Sequence, residues 1–167
     1  MSGIGGHVPP GERRNRLMKE EIHDPYLKRS KPAEPTVCPE CGAAFSKGRW
    51  QWVTEAPKDA HEEMCPACQR IRDKAPAGFL TLSGEFLSGH RDEIMHLVHH
   101  KVEQEKKEHP FKRLMAVEEQ EDGATVLTFT DVHLPRGVGE AIEHAYKGSL
   151  DIKSPKDAEI VRVYWER

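Results

Sequence analysis

Four cysteines are arranged as two CxxC pairs in this 167-residue sequence. Cys38 and Cys41 form the first pair, Cys65 and Cys68 form the second, and 23 residues separate the pairs. Two residues between cysteines let both sulfurs of a tight turn face one ion, and two such turns complete the tetrahedral thiolate site that zinc favours. We therefore predict one zinc ion held by all four cysteines. Because no position is left for water, this zinc is expected to be structural rather than catalytic.

The alternatives for these cysteines are redox-active pairs or inert thiols. A thioredoxin-type pair opens a helix after a core strand of a βαβ unit, and the sequence around neither pair indicates that setting. Gly42, directly after Cys41, suits a left-handed turn that frees backbone amides for the sulfurs. The N-terminus lacks a secretory signal, which predicts a cytoplasmic location where thiols bind metal more often than they form disulfides.

Aromatic and basic residues are interleaved around the two cysteine pairs. Stacking aromatic rings with cations nearby are what the recognition of single-stranded or looped RNA uses. The predicted RNA-binding residues are Lys47, Arg49, Trp50, Trp52, Arg70, Arg72 and Lys74. The alternative is that the tryptophans cover the small core of the metal module and that the cations are simply solvated. The sequence leaves both interpretations open.

A histidine cluster is a weaker candidate for metal chemistry. His96 and His100 share one face of a predicted helix, with His99 beside them. The zincin signature requires a glutamate after the first histidine, where this sequence has Leu97. We interpret the three histidines as a partly solvated cluster.

Polar residues at the start of the second predicted helix are not interpreted as catalytic. Thr130 and Asp131 precede this helix, where a short oxygen-bearing side chain satisfies free amides. Asp131, His133 and Arg136 are expected at one end of a sheet, but no nucleophile accompanies them, so they do not form a triad.

The elements that position these residues fall into three segments. Residues 1–36 are rich in glycine, proline and charge, which predicts a flexible arm with a short helix over Arg13–Ile22. Residues 37–76 contain both cysteine pairs and a predicted strand at Arg49–Val53, which together indicate a zinc ribbon. Residues 77–167 predict a second domain. No apolar run approaches the ~20 residues that span a bilayer, so no membrane association is expected.

Hydrophobic periodicity from residue 77 onward predicts the order strand, helix, strand, strand, helix, strand. The predicted strands are 77–83, 112–119, 124–130 and 160–165, and the predicted helices are 88–108 and 135–147. This order indicates an α+β fold with a ferredoxin-like βαββαβ domain, whose two helices cover one sheet face and leave the other open. On the open face we expect a platform for RNA or protein, or a surface that the zinc module or another subunit covers. Its residues are Thr81, Thr128, Thr130, Arg162 and Tyr164.

The formal net charge of −3 is unevenly distributed along the chain. Residues 1–37 contain seven Lys/Arg against five Asp/Glu, residues 38–76 contain six of each, and residues 77–167 contain twelve against seventeen. A chain that is not basic overall binds nucleic acid only through a local surface. The acidic C-terminal segment suits a basic protein partner instead.

The order of cysteine pairs followed by this domain resembles the large-subunit ribosomal export adaptor family of eukaryotes and its archaeal relatives. The resemblance covers about residues 38–167 and is carried by both CxxC pairs, by the run DGATVLTFTDVHLPRGVGEAIEHAYKG and by VRVYW. The layout is also similar to small uncharacterised bacterial proteins. In the export adaptor family the zinc-bearing region and the following domain contact the large ribosomal subunit. That family has further zinc-ligand cysteines and an export tail, so the resemblance implies attachment to the ribosome or RNA rather than export.

From these observations we expect a non-enzymatic zinc protein that acts as an RNA- or ribosome-associated adaptor, with ribosomal RNA or the ribosome among its candidate partners. The alternative is a protein–protein adaptor that recognises a basic partner through its acidic C-terminal domain. An enzyme that uses the histidine cluster or Asp131 and His133 is the third and least favoured interpretation.

Overall fold

The computed structural model describes residues 25–26, 31–155 and 160–167. These residues form a mixed α+β fold with two sheets and three helices. The first part, here called the knuckle module, contains β1 (Thr36–Val37), β2 (Ala44–Ser46), β3 (Arg49–Gln51), β4 (His61–Glu62) and α1 (Pro66–Asp73). The second, here called the C-terminal module, contains β5 (Gly78–Ser83), α2 (Glu85–Glu108), β6 (Leu114–Glu119), β7 (Thr125–Phe129), α3 (Leu134–Tyr146), β8 (Ser149–Lys153) and β9 (Val161–Glu166).

Two sequence predictions can be placed against these limits. The predicted helix at Arg13–Ile22 and most of the predicted arm lie outside the described residues. Within the described part of the chain, no helix has both the length and the apolar character needed to cross a bilayer.

The knuckle module is built on a small sheet with the strand order β3-β2-β1-β4. β1 runs antiparallel to β2 and parallel to β4, so the segments on either side of the first cysteine pair are hydrogen-bonded to each other. Thr36 in β1 and Ala44 and Phe45 in β2 are buried. The module therefore has the four-cysteine, small-sheet layout of a zinc ribbon, although its apolar core is slight.

The C-terminal module has a five-stranded sheet in the order β6-β7-β5-β9-β8. The alternation along β9 shows that one face of this sheet is apolar, since Val161, Val163 and Trp165 are buried while the residues between them are exposed. Residues of α2 and α3 recur at helical spacing and pack on this apolar face, forming one core with the strands. The buried helical residues in this core are Leu87, Ile94, Val98, Val102, Leu134, Val138 and Ile142.

The ferredoxin-like arrangement is not confirmed for this module, because the sheet contains a fifth strand that the sequence analysis missed. β8 follows α3 and pairs antiparallel with β9, which turns back and inserts between β8 and β5. β9 consequently runs parallel to β5, whereas a four-stranded βαββαβ sheet places its last strand antiparallel to the first. β8 was missed because its sequence, Ser-Leu-Asp-Ile-Lys, has only two apolar residues, as is typical of an edge strand.

One face of the five-stranded sheet carries polar side chains, as predicted for Thr81, Thr128, Arg162 and Tyr164. These residues alternate with the buried ones along their strands, and Tyr164 lies opposite Thr81 across the β5–β9 pair. Thr130 does not belong to this face. It is buried beyond the end of β7, where its hydroxyl donates to the Phe111 carbonyl and accepts the Arg113 amide.

Candidate metal centre

The first cysteine pair forms a tight turn between β1 and β2. The Cys38 amide donates to the Ala43 carbonyl at 2.8 Å, and the Gly42 amide donates to the Cys38 carbonyl at 3.0 Å. Gly42 has a φ of 81°, the left-handed conformation expected after the second cysteine. This turn directs the Ala43 amide to the Cys41 sulfur at 3.5 Å, which is the function predicted for the glycine.

The second cysteine pair begins a helix. Cys65 is the N-cap of α1, its sulfur accepts the Cys68 amide at 3.4 Å, and Pro66 lies in the first turn. This pair thus opens a helix, as a thioredoxin-type pair does. The setting still differs from thioredoxin, since α1 follows the two-residue edge strand β4 and not a core strand of a βαβ unit. The aligned amides at the start of α1 favour negative charge on the cysteine sulfur.

The four cysteine sulfurs converge on one point. All four Sγ atoms lie within 4.8 Å of one another, and Cys41 Sγ lies 3.8 Å from Cys65 Sγ. These cysteines form no disulfide. The Cys65 amide also donates to Cys38 Sγ at 3.3 Å, which joins the two pairs. The arrangement brings together four soft ligands with backbone donors around them, so it is able to hold a metal ion.

A buried arginine from the C-terminal module completes the surroundings of the sulfurs. Arg113 precedes β6, and its Nη1 and Nη2 atoms donate to Cys68 Sγ at 3.1 Å and to Cys65 Sγ at 3.7 Å. Its Nε donates to the Pro110 carbonyl at 2.9 Å, and the Trp52 ring lies beneath the guanidinium, 5.5 Å from centroid to Cζ. The side chain is thus fixed by partners from both modules.

One sulfur of the cluster, that of Cys41, favours negative charge. The contact with Cys65 lowers the pKa of Cys41 to about 4, and the guanidinium of Arg113 acts in the same direction. The same sulfur contact, together with burial, raises the pKa of Cys65, and burial raises the pKa of Cys68. Burial alone disfavours the charge on Arg113, but its contacts with the cysteine sulfurs outweigh this and raise its pKa. A thiolate and a guanidinium therefore compensate each other inside the protein.

The tryptophans predicted to bind RNA have structural contacts. The Trp50 ring contacts the rings of Phe45 and Phe111, with centroid distances of 5.8 and 6.1 Å, and packs against the cysteine cluster. Trp52 donates from Nε1 to the Lys106 carbonyl of α2 at 2.7 Å. These contacts support coverage of the small core, and the half-buried Trp50 also keeps surface that lines a cleft described below. They also attach the knuckle module to the C-terminal module.

The predicted cations differ in how much of each is available to a partner. Arg70 is buried, donates to the Ala75 carbonyl at 2.9 Å and lies over the Tyr26 ring. Arg72 is exposed but forms an ion pair with Asp73 at 2.8 Å. The remaining cations, Lys47, Arg49 and Lys74, are exposed, and they make no ion pair within the parts of the chain that the structure describes.

The two other groups considered for chemistry do not assemble a site. His96, His99 and His100 are all exposed on α2, and the cysteine cluster is the only potential metal-binding group found among the described residues. Asp131 accepts the amides of His133 and Leu134 at 3.2 and 2.8 Å, so it caps the start of α3, as predicted.

A cleft of about 820 Å³ lies between the two modules, next to the metal centre. One wall comes from β2, β3 and α1, and the other comes from the loop before β6 and from the start of α3. Its surface is mostly apolar. The residues that carry rings or charges are Phe45, Arg49, Trp50, Arg70, Glu108, His109, Phe111, Lys112, Asp131 and His133.

Sequence reasoning missed both Arg113 and the cleft. Arg113 falls within the predicted strand 112–119 and was not singled out, because nothing in Lys112-Arg113-Leu114 distinguishes a buried cation from a solvated one. One signal was available. The strands β6 and β7 form a hairpin, and β7 lies next to β5 in the sheet. The open end of this hairpin, near Arg113 and Thr130, therefore lies beside the segment that precedes β5.

The chain was also compared with known proteins. Comparison with protein-family models, with curated proteins and with solved structures finds no significant match. The function is therefore argued from the geometry of the site.

Proposed function

We propose that this chain is a non-enzymatic adaptor that contains one structural zinc ion and binds RNA, with ribosomal RNA as the expected target. The observation that carries the zinc assignment is the convergence of four cysteine sulfurs within 4.8 Å. A tetrahedron with Zn–S bonds of about 2.3 Å has edges of about 3.8 Å. The Cys41–Cys65 sulfur separation of 3.8 Å fits such a site.

The charge around the sulfurs also suits zinc. Four thiolates around Zn²⁺ carry an excess of negative charge, which requires hydrogen-bond donors or cations close by. Amides of Ala43, Cys65 and Cys68 point at sulfurs, and Arg113 adds a full positive charge. Because all four ligands are cysteines, this zinc would stabilise the fold and would not activate water.

RNA binding is supported by the location of the available cations. Lys47 and Arg49 flank the tight turn between β2 and β3, and Lys74 ends α1, so exposed positive charge lies on the knuckle module. The acidic residues are concentrated in residues 77–167. Attachment to the ribosome rests on the family resemblance of the sequence, and the contacts with phosphate would come from the knuckle module.

The zinc assignment is tested on purified protein by elemental analysis together with a thiol count. We expect one zinc per chain and no free thiol that reacts rapidly under native conditions. A stoichiometric amount of iron, or the absence of any metal after zinc-supplemented purification, contradicts the assignment.

RNA binding is tested by retention of ribosomal RNA from lysate, with and without nuclease, at increasing salt. We expect binding to weaken steeply with salt, because each neutralised phosphate releases counterions. The double variant Lys47→Gln/Arg49→Gln should reduce both the affinity and the slope, while the charge-matched Lys153→Gln/Arg162→Gln on the open sheet face should not. Arg70 is unsuitable for this purpose because it is buried. Retention that does not depend on salt contradicts the proposal.

A protein–protein adaptor remains the second candidate, and one feature favours it. The turn between β6 and β7 and the adjacent end of β6 expose four carboxylates, those of Glu118, Glu119, Glu121 and Asp122. Of these four carboxylates, only that of Glu119 forms an ion pair with a described residue, which is Arg91. Charge reversal of Glu118 and Glu121 to lysine separates the candidates, since it should abolish capture of a basic protein and leave RNA retention unchanged.

A further inference from the structure

The cleft between the modules has the composition of a site for a flat, charged ligand. Its volume of about 820 Å³ lies within the range of roughly 300–1,000 Å³ that small-molecule sites occupy. Trp50 from β3 and Phe111 from the loop before β6 both line it, and their rings are tilted by 55° with centroids 6.1 Å apart. Aromatic rings from the two modules thus contact each other where the two sides of the cleft meet, and this pair is here called the aromatic wall.

The cations that line the cleft come from both modules as well. Arg49 is exposed beside Trp50 and makes no ion pair within the described segments. Lys112 is held in place by a 3.1 Å ion pair with Glu105, whose carboxylate does not line the cleft. His133 is exposed at the start of α3. Positive and ionisable groups therefore surround the aromatic wall.

The acidic groups in the cleft offset this charge only in part. Asp131 lines the cleft, but both of its oxygens accept amides at the start of α3. Glu108 lines it too and is exposed. Although the C-terminal module is acidic overall, the cleft between the modules is a local surface with stacking groups next to cations. This is the combination that recognises an unpaired nucleotide, since every base has a π-face and every nucleotide a phosphate.

We propose that this cleft binds one unpaired nucleotide of single-stranded RNA, with its base against Trp50 and Phe111 and its phosphate near Arg49, Lys112 and His133. This proposal rests on the proposed function and specifies where RNA is bound. Of the seven residues predicted from the sequence, the proposed site keeps Arg49 and Trp50. Trp52 is excluded because it does not line the cleft, and three residues of the C-terminal module are added.

The location is tested by photocrosslinking of the zinc-loaded full chain. The probe is a mixed-sequence single-stranded RNA decamer that contains 5-bromouridine, and crosslinked residues are identified by mass spectrometry. We expect crosslinks to Trp50, Phe111 or His133, since the reactive base has to lie against the side chain. Crosslinks confined to the turn at Lys47, to Lys74 or to the open sheet face overturn the cleft proposal while leaving RNA binding intact.

The contribution of the cleft to affinity is measured with the same RNA carrying a fluorescent label. Arg49→Gln should weaken binding, whereas Arg162→Gln removes an equal charge from the open sheet face and should have little effect. Phe111→Leu should weaken binding by roughly 5- to 150-fold, the range expected for the loss of one stacked base. Metal content and far-UV circular dichroism show whether each variant is folded, and Arg49→Gln remains decisive if Phe111→Leu is not.

The outcomes separate this proposal from the proposed function. RNA binding that Arg49→Gln and Arg162→Gln weaken equally refutes the cleft and retains the adaptor. Absence of RNA binding even at low salt removes both proposals. Crosslinking at the aromatic wall, together with selective loss in Arg49→Gln, supports both.

Discussion

Arg113 Nη1 lies 3.1 Å from Cys68 Sγ, so a cation of the C-terminal module is bonded to a sulfur of the knuckle module. Arg113 is buried, and burying a guanidinium without partners would be strongly unfavourable. Its backbone is fixed as well, since its amide donates to the Thr130 hydroxyl at 2.9 Å and its carbonyl accepts the Thr130 amide at 3.0 Å. Arg113 therefore links the cysteine cluster to the five-stranded sheet, in addition to the tryptophan contacts between the modules.

Replacing Arg113 should weaken metal binding without removing a ligand. For Arg113→Met we expect zinc affinity to fall by roughly 10–100-fold, as for other residues that hydrogen-bond metal ligands. Arg113→Lys should lose less zinc affinity, because lysine retains the positive charge. Some affinity should still be lost, since lysine lacks the forked geometry of the guanidinium. Competition with a chromophoric chelator measures both values. Arg136→Met serves as the control, since that arginine is exposed on α3. Equal affinities for Arg113→Met and the wild type would show that the contact is incidental.

Metal removal should unfold the two modules unequally. The knuckle module has a slight core, whereas the five-stranded sheet has its own apolar core around Trp165. After chelation we expect hydrogen exchange to accelerate by orders of magnitude in residues 36–51 and to change little in β5, β7 and β9. Mass spectrometry of the exchanged peptides measures this. Uniform loss of protection would mean that the sheet depends on the metal too.

Gly78 should not tolerate even a methyl group. A Cβ added there would lie 2.3 Å from Pro135 Cγ and 2.9 Å from the Asp131 carbonyl oxygen, because α3 begins directly against β5. Gly78→Ala should lower the free energy of unfolding by about 1–3 kcal/mol. Gly89→Ala is the matched control, since a Cβ at this helical position meets nothing within 4 Å. It should be neutral or stabilising by up to about 1 kcal/mol. Urea denaturation compares the two variants, and equal midpoints would contradict the close approach.

Two buried threonines should respond oppositely to replacement by valine. The Thr125 hydroxyl has no hydrogen-bond partner among the described residues, so Thr125→Val should stabilise the protein by about 1 kcal/mol. The Thr130 hydroxyl donates to the Phe111 carbonyl and accepts the Arg113 amide, so Thr130→Val should destabilise it by about 1–3 kcal/mol. Thermal denaturation gives both signs. A stabilising Thr130→Val would show that the loop before β6 is held by other contacts.

The parts of the fold that sequence reasoning predicted are those with strong local patterns. The CxxC spacing predicted that the four cysteines lie together, as they do, and Gly42 adopts the left-handed conformation that was expected. Alternation in β9 and helical spacing in α2 and α3 located these elements to within a few residues. In each case the signal lies within one segment of the chain.

The parts that were missed depend on contacts between distant segments. α1 contains Gln-Arg-Ile-Arg-Asp, which has no apolar stripe, and it is fixed by the Cys65 cap and the cysteine cluster. β8 is stabilised by pairing with β9 rather than by its own composition. Arg113 is buried because sulfurs 45 and 48 residues away accept its hydrogen bonds. No local pattern encodes such partners.

The insertion of β9 between β5 and β8 has a consequence for the nascent chain. All other strands of the sheet are synthesised earlier, yet the position between β5 and β8 remains empty until residues 161–166 emerge. A polypeptide interrupted before that point exposes two bare strand edges with an apolar groove between them, which is a template for aggregation or for strand exchange with another copy. Completion of the sheet therefore waits for a strand that has to enter between two strands synthesised before it.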